Sequence, residues 1–310
     1  MFRPETWDEY IGQNHIIDNL KVFLKSAKKQ NKVVDHIFLY GPSGYGKTSL
    51  AYLLSKQLKT NIRILNGPNL QKSSDIISVL TSIKEKEIVF IDEIHAVNKE
   101  VLEIIYPVLE ENKLNIIIGK DYNSKVVNID LPKFTLISAT TEINKIPIPL
   151  LNRFSINFTL SEYSIDDMSK IVELYCNKLN LKLDKETYLY ISSYCRQTPR
   201  IAINLIKRIY DHIVVENPKQ VDIKYIDSVF KKLGVFQLGL TSTEIKYLEM
   251  ISKNKRMGLE NIAHILNTTP VIISNNIEPF LIRQNLIIRT FKGREITLKG
   301  TEYIKKVKCW

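Results

Sequence analysis

At 310 residues, with 44% hydrophobic and 25% charged residues, the chain has enough material for two or three domains with cores of their own. No uninterrupted apolar run approaches a membrane span, and the opening MFRPETWDEY lacks the apolar centre of a secretion signal. The 44 Lys and Arg against 33 Asp and Glu leave a net +11, which points either to a polyanionic partner or to a Lys-rich compositional habit. Three cysteines, Cys176, Cys195 and Cys309, are too few and wrongly spaced for a disulfide framework or a zinc site. The expectation is a reduced, cytoplasmic protein that does not touch the membrane.

In chain order, HIFLYG (36–41), NIRILNG (61–67), EIVFID (87–92) and FTLISAT (134–140) read as strands. Between them, KTSLAYLLSKQL and SSDIISVLTSI carry helical apolar spacing. Such alternation predicts an α/β domain built on a parallel sheet covered on both faces.

GPSGYGKT (41–48) joins the first strand to the first of these helices, which is the setting a P-loop needs. Gly41, Gly44 and Gly46 let backbone N–H groups turn inward around phosphate. Lys47 supplies a point charge to the β- and γ-phosphates, and the Thr48 hydroxyl suits Mg²⁺. The helix that follows adds its positive end. IVFIDEIH (88–95) then places Asp92 at the end of a buried strand, a costly position for a carboxylate unless it holds a cation. Glu93 beside it is placed to polarise an attacking water, which makes the expected protein an ATP hydrolase.

Further along, KLNIIIGKDYNSKVVNIDL (113–131) alternates Leu114, Ile116 and Ile118 with Val127, Ile129 and Leu131 around a polar turn, the pattern of a β-hairpin. In PLLNRFSINF (149–158) the single cation Arg153 stands among apolar residues. There it either pairs with a nearby carboxylate or meets an anion from elsewhere. From about 160 to 234 the pattern is helical throughout. After LGVFQLGL (233–240) come further helices and then two short strands, NLIIRTF and REITL. Residues 235–310 hold 12 Lys and Arg against 6 Asp and Glu, so +6 of the net charge collects there. That clustering favours the polyanion over the compositional habit. In RTFKGRE, Arg289, Lys292 and Arg294 surround a glycine turn, read either as a phosphate-contacting tip or as a solvated basic turn.

The P-loop, FIDEIH, SATT, LLNRF and TPRIA in this order resemble the AAA+ ATPases. RPETWDEYIGQ, LNGPNLQKSSDI, IDEIHAVNKEVLEIIYPVLE, TPRIAINLIKRI and EPFLIRQNLIIRTFKGREIT narrow the resemblance to the RuvB family, over nearly the whole chain. The resemblance implies an ATPase domain over 1–159, a helical lid over 160–234 and a winged-helix DNA-binding domain over 235–310. It also implies branch migration of Holliday junctions by a homohexameric ring acting on duplex arms. Partners would be RuvA, docked on the 113–131 hairpin, and RuvC in the full complex; the hairpin's alternation equally suits packing on its own domain. By the same resemblance Phe2 and Arg3 line the adenine. Ser49, Glu110, Glu111, Asn112 and Tyr163 touch nucleotide, Thr140 is the first sensor, and Arg200 is the second. Arg153 becomes an arginine finger, reaching the ATP of the adjacent subunit. The chain departs from the family at Glu142, where an arginine is common, at Leu151 and Asn152 before Arg153, and at Gln197 before Thr-Pro-Arg. Two rival readings are a clamp-loader-type ATPase, against which the winged helix counts, and a non-motor ATP-dependent DNA-binding switch.

Overall fold

The computed structural model describes residues 3–118, 125–254 and 256–308. The chain divides into two compact units: Met1–Tyr175 with Gln197–Ile203, and Cys176–Arg196 with Asn204–Trp310.

In the first unit, helix α1 (Asn14–Gln30) turns Ile16, Ile17, Leu20, Leu24 and Ala27 onto one buried face, at the three- and four-residue spacing of a helix. Asn31 closes it in a left-handed conformation, and Lys28 and Lys29 in the last turn face the negative end of its dipole. There follow β1 (Ile37–Tyr40), α2 (Lys47–Leu58), β2 (Ile62–Asn66), α3 (Ser73–Leu80), β3 (Ile88–Asp92) and α4 (Lys99–Glu111). The unit continues with β4 (Lys113–Ile118), β5 (Lys125–Asp130), β6 (Thr135–Thr140), α5 (Ile148–Leu151) and β7 (Ile156–Thr159).

Five of these strands form one parallel sheet in the order β2-β3-β6-β1-β7. The α/β expectation holds. Strand β6 is buried at all six positions and β3 at its first four, as strands covered on both faces must be. The edge strand β7 alternates half-buried with exposed residues. It overlaps the end of PLLNRFSINF and was not foreseen, because four alternating residues carry too little apolar signal. The helix α4 packs Val101, Ile105 and Val108 into the same core as Val89, Ile91, Phe134 and Leu136 of the sheet.

Register brings Tyr40 beside Thr140 and Ile91 beside Ser138. The loops after β1, β3 and β6 therefore leave the sheet side by side at its C-terminal edge, where open α/β sheets bind ligands. The 113–131 segment forms the expected hairpin, paired from Lys113↔Asp130 to Ile118↔Lys125, with its turn outside the described residues. Leu114 and Leu131 are buried against the domain, whereas Val126 and Val127 are exposed.

Helices α6 (Ile165–Lys178) and α8 (Pro199–Glu216) each begin in the first unit and continue in the second. The second unit also holds α7 (Lys185–Ser193) and α9 (Ile223–Leu233). Asp184 accepts from Thr187 N at 2.7 Å and Asp222 from Tyr225 N at 2.9 Å, so each satisfies an orphan amide at its helix start. Beyond Gly234 come β8 (Val235–Phe236), β9 (Leu240–Thr241), α10 (Ser242–Asn254), β10 (Arg256–Met257) and α11 (Leu259–Ile265). A short α12 (Pro270–Ile272) runs through a π turn into α13 (Glu278–Arg283), followed by β11 (Ile287–Thr290), β12 (Gly293–Ile296) and α14 (Leu298–Lys308). The two expected wing strands pair antiparallel, and the two-residue β10 adds a third, giving the order β10-β12-β11. Among the described residues no helix is long and apolar enough to cross a membrane.

Candidate nucleotide site and wing

The loop between β1 and α2 reaches Lys47 through Gly46, whose φ is +106°. A Cβ on Gly46 would sit 2.7 Å from the Tyr10 hydroxyl, so both backbone angle and space demand glycine there. Lys47 is buried, and its Nζ donates to the carbonyls of Gly41 at 2.5 Å and Pro42 at 3.1 Å. Burial lowers the pKa of this ammonium group; Glu93 and Asp92 act in the opposite direction and Arg200 adds to the lowering. Those four side chains thus share one local field.

Thr48 Oγ1 donates to Asp92 Oδ2 at 3.0 Å, joining the first turn of α2 to the end of β3. The hydroxyl and carboxylate are hard oxygen donors of the kind that suit a hard cation. Glu93, next in the chain, adopts a left-handed φ of 53°. Its Oε2 accepts from Thr141 N at 3.0 Å and from Thr141 Oγ1 at 2.9 Å, and His95 Nδ1 lies 3.2 Å away. The expected sensor Thr140 is fully buried and bonds His95 Nδ1 at 2.9 Å. The two threonines therefore divide the work: Thr141 holds the carboxylate, and Thr140 holds the histidine beside it. His95 also approaches Glu142 Oε1 at 3.2 Å, and Glu142 pairs with Lys145 at 2.8 Å.

Sequence reasoning missed Thr141, His95 and Gly67. Gly67 follows β2, and a Cβ on it would lie 2.1 Å from the backbone oxygen of Glu93. Gly67→Ala is expected to push the Glu93 backbone aside, costing about 1–3 kcal/mol of stability and most of the ATP turnover. Thermal unfolding and steady-state hydrolysis together check this.

Arg200, in the first turn of α8, donates from Nη1 to Ser43 Oγ at 2.9 Å, so it reaches the P-loop. Tyr163 is buried against the loop, its hydroxyl donating to Tyr45 O at 2.9 Å, and burial pushes its pKa up to about 12. The guanidinium of Arg3 stacks 3.6 Å from the centre of the Tyr52 ring on α2. Phe2 lies outside the described residues. Ser49 is half-buried in α2. Glu110, Glu111 and Asn112 make no hydrogen bond or ion pair to the P-loop among the described residues; Asn112 ends α4 in a left-handed turn, and Glu111 pairs with Lys113. Arg153, just past α5, likewise makes no hydrogen bond or ion pair to the loop among the described residues. Its Nε lies 3.0 Å from Glu110 Oε1, its Nη1 donates to Pro149 O at 2.6 Å, and it sits over Tyr106.

In the wing, Arg289 and Arg294 are cross-strand partners, and the turn between the strands is Phe291–Lys292. Both arginines point at Glu278, which is fully buried: Arg289 Nε at 2.5 Å and Arg294 Nε at 2.8 Å. Arg294 Nη2 adds a longer bond at 3.4 Å, and the Tyr247 hydroxyl donates a fourth at 2.9 Å. Two like charges opposite each other repel, and the carboxylate beneath them removes that conflict. Phe291 at the tip is 96% exposed. Burial alone pushes the Glu278 carboxyl pKa up, but the bonds from Arg294, Tyr247 and Arg289 outweigh it and hold the group below its ordinary value. The stabilisation is therefore present above the ordinary carboxylate range and disappears as pH falls through the lowered pKa. Arg294→Ala is expected to destabilise the C-terminal unit by less than the roughly 3–5 kcal/mol of a fully orphaned buried charge, because Arg289 and Tyr247 remain. Urea unfolding at neutral pH and again well below the carboxylate range should show the difference shrinking in acid.

Three family models match consecutive stretches: the Holliday junction DNA helicase RuvB P-loop domain over 2–160, the RuvB AAA lid domain over 163–235 and the RuvB C-terminal winged helix domain over 237–305. The chain belongs to the RuvB family. It is 40% identical over 302 residues to the Holliday junction branch migration complex subunit RuvB of Mycoplasma genitalium, covering 97% of each chain. It is 39% identical over 308 residues to the same subunit of Mycoplasmopsis pulmonis, covering 98% of each. Among solved structures, the Thermotoga maritima RuvB Holliday junction branch migration motor superposes with a TM-score of 0.83 at 32% identity, over 98% of both chains. As a RuvB-family P-loop protein, the chain is built to bind nucleotide.

Proposed function

We propose that this chain is an ATP-driven motor subunit that forms a hexameric ring and drives branch migration by drawing the duplex arms of a four-way junction. One observation carries the reading. Lys47, the Thr48–Asp92 pair, Glu93 and Arg200 gather at one P-loop, while Arg153 of the same unit is committed elsewhere. A site so built binds triphosphate but lacks one cation for the charge that grows during phosphoryl transfer. A neighbour docked head to tail supplies it, and repeated heterologous contacts of that kind close into a ring.

In this mechanism the Lys47 ammonium exchanges the carbonyls of Gly41 and Pro42 for phosphate oxygens, and the P-loop amides from Ser43 to Thr48 cradle the rest. Ser49 in α2 and the Tyr163 face complete the wall, and Arg3 would meet the base, as the resemblance also implies for Phe2. Thr48 and Asp92 would hold Mg²⁺, which when bound offsets the charge on the phosphates. Glu93 orients the attacking water, Thr140 and Thr141 fix the two side chains around it, and Arg200 brings α8 to the phosphates.

The division into 1–159, 160–234 and 235–310 assigns chemistry to the first segment, a lid to the second and DNA contact to the third, in keeping with the matched ranges. Lys292 and the braced Arg289 and Arg294 would meet backbone phosphates, which suits a motor indifferent to sequence. The 113–131 hairpin, with Val126 and Val127 exposed, would dock RuvA, with RuvC joining the full complex in the cytoplasm. The test is migration of a synthetic four-way junction with and without ATP and RuvA. ATP hydrolysis without any directional movement would instead favour a clamp loader or a DNA-binding switch.

A further inference from the structure

The guanidinium of Arg153 is gripped by its own chain. Nε lies 3.0 Å from Glu110 Oε1, Nη1 donates to Pro149 O at 2.6 Å, and the guanidinium carbon stands 4.6 Å from the centre of the Tyr106 ring. Glu110 and Tyr106 are four residues apart on α4, so one helical face presents both. Nε is buried and makes no hydrogen bond of good geometry, so Glu110 acts on it through charge and proximity. Nη2 has no hydrogen bond or ion pair among the described residues.

We propose that Glu110 and Tyr106 are positioning residues for Arg153, holding its guanidinium in one arrangement with the Nη2 edge turned to an anion from outside the chain. The proposal rests on the reading of Arg153 as a residue acting in trans. It gives Glu110 a role other than the nucleotide contact that the resemblance implies, with its carboxylate behind the guanidinium, 3.0 Å from Nε. An unrestrained arginine loses much rotamer freedom when a transition state fixes it. A seat built into α4 removes part of that loss before the reaction begins. The grip is also light enough to permit adjustment: half of the Glu110 side chain is exposed, and exposed pairs are weak.

The test uses the full chain with ATP, Mg²⁺ and duplex DNA, and compares Glu110→Gln, Tyr106→Leu and Arg153→Ala, alone and combined. Glu110→Gln and Tyr106→Leu should each lower kcat about 2- to 5-fold with KM for ATP unchanged. Neither should add to the loss already caused by Arg153→Ala. If Arg153→Ala collapses hydrolysis while both α4 variants match wild type, the positioning role is wrong and the finger reading survives. If Arg153→Ala itself turns over normally, the finger reading fails, and the positioning role falls with it. A raised KM in Glu110→Gln, or a further loss when it is added to Arg153→Ala, would make Glu110 a nucleotide contact and overturn the proposal.

Discussion

Glu93→Gln is expected to bind ATP as well as the unaltered protein while its turnover falls about 10²–10⁴-fold, the contribution typical of a positioned acid or base. Glutamine keeps the shape and can still accept from Thr141 N and Oγ1, so the loop geometry around residue 93 survives. Only the charge proposed to polarise water is lost. Lys47→Ala should fail differently. Its ammonium serves the ground state as well as the transition state, so nucleotide binding weakens about 10- to 100-fold, the worth of a charged hydrogen bond. Equilibrium binding of labelled ATP beside steady-state hydrolysis separates the two variants. Equal turnover in Glu93→Gln and the unaltered protein would remove Glu93 from the mechanism.

Arg153→Ala should be nearly inactive, by about 10³–10⁵-fold if it resembles trans-acting arginines in GTPases. Mixing it with Lys47→Ala subunits should nevertheless restore part of the hydrolysis. In a mixed ring some intact P-loops then face intact arginines, although neither variant alone contains such a pair. Activity is measured across mixing ratios, with mixed assembly confirmed by co-purification through an affinity tag carried by one variant only. No recovery at any ratio would mean that Arg153 serves its own subunit or none.

The sequence was most readable where chemistry needs neighbours in the chain. A phosphate cradle needs consecutive amides and glycines, so Gly41 to Thr48 was plain, and Asp92–Glu93 stood out because carboxylates rarely end buried strands. The hairpin was legible from its alternation, and the wing as two short strands flanking a glycine turn. What stayed hidden depends on contacts between distant segments. Thr141 and Glu93 are 48 residues apart, and nothing local marks Thr141 over Thr140. Gly67 looks like an ordinary turn residue until the Glu93 carbonyl is seen against it. Arg289 and Arg294 read as charges around a turn, while the buried Glu278 that gathers them comes from a helix before the strands. β7 was too short to declare itself, and its neighbour Arg153 gave no sign of its seat on α4.

Helix α8 carries a mechanical consequence. Its 18 residues form one continuous rod of about 27 Å at 1.5 Å per residue. The first turn, with Arg200 on Ser43, belongs to the nucleotide-binding unit, and everything from Asn204 onward belongs to the other. Helices without an interior proline, glycine pair or bulge bend only gently. The stiffness of α8 is therefore a property of its backbone alone. From Pro199 to Glu216 the helix stays one piece by its own hydrogen-bond ladder, with no relay of side chains to hold it straight.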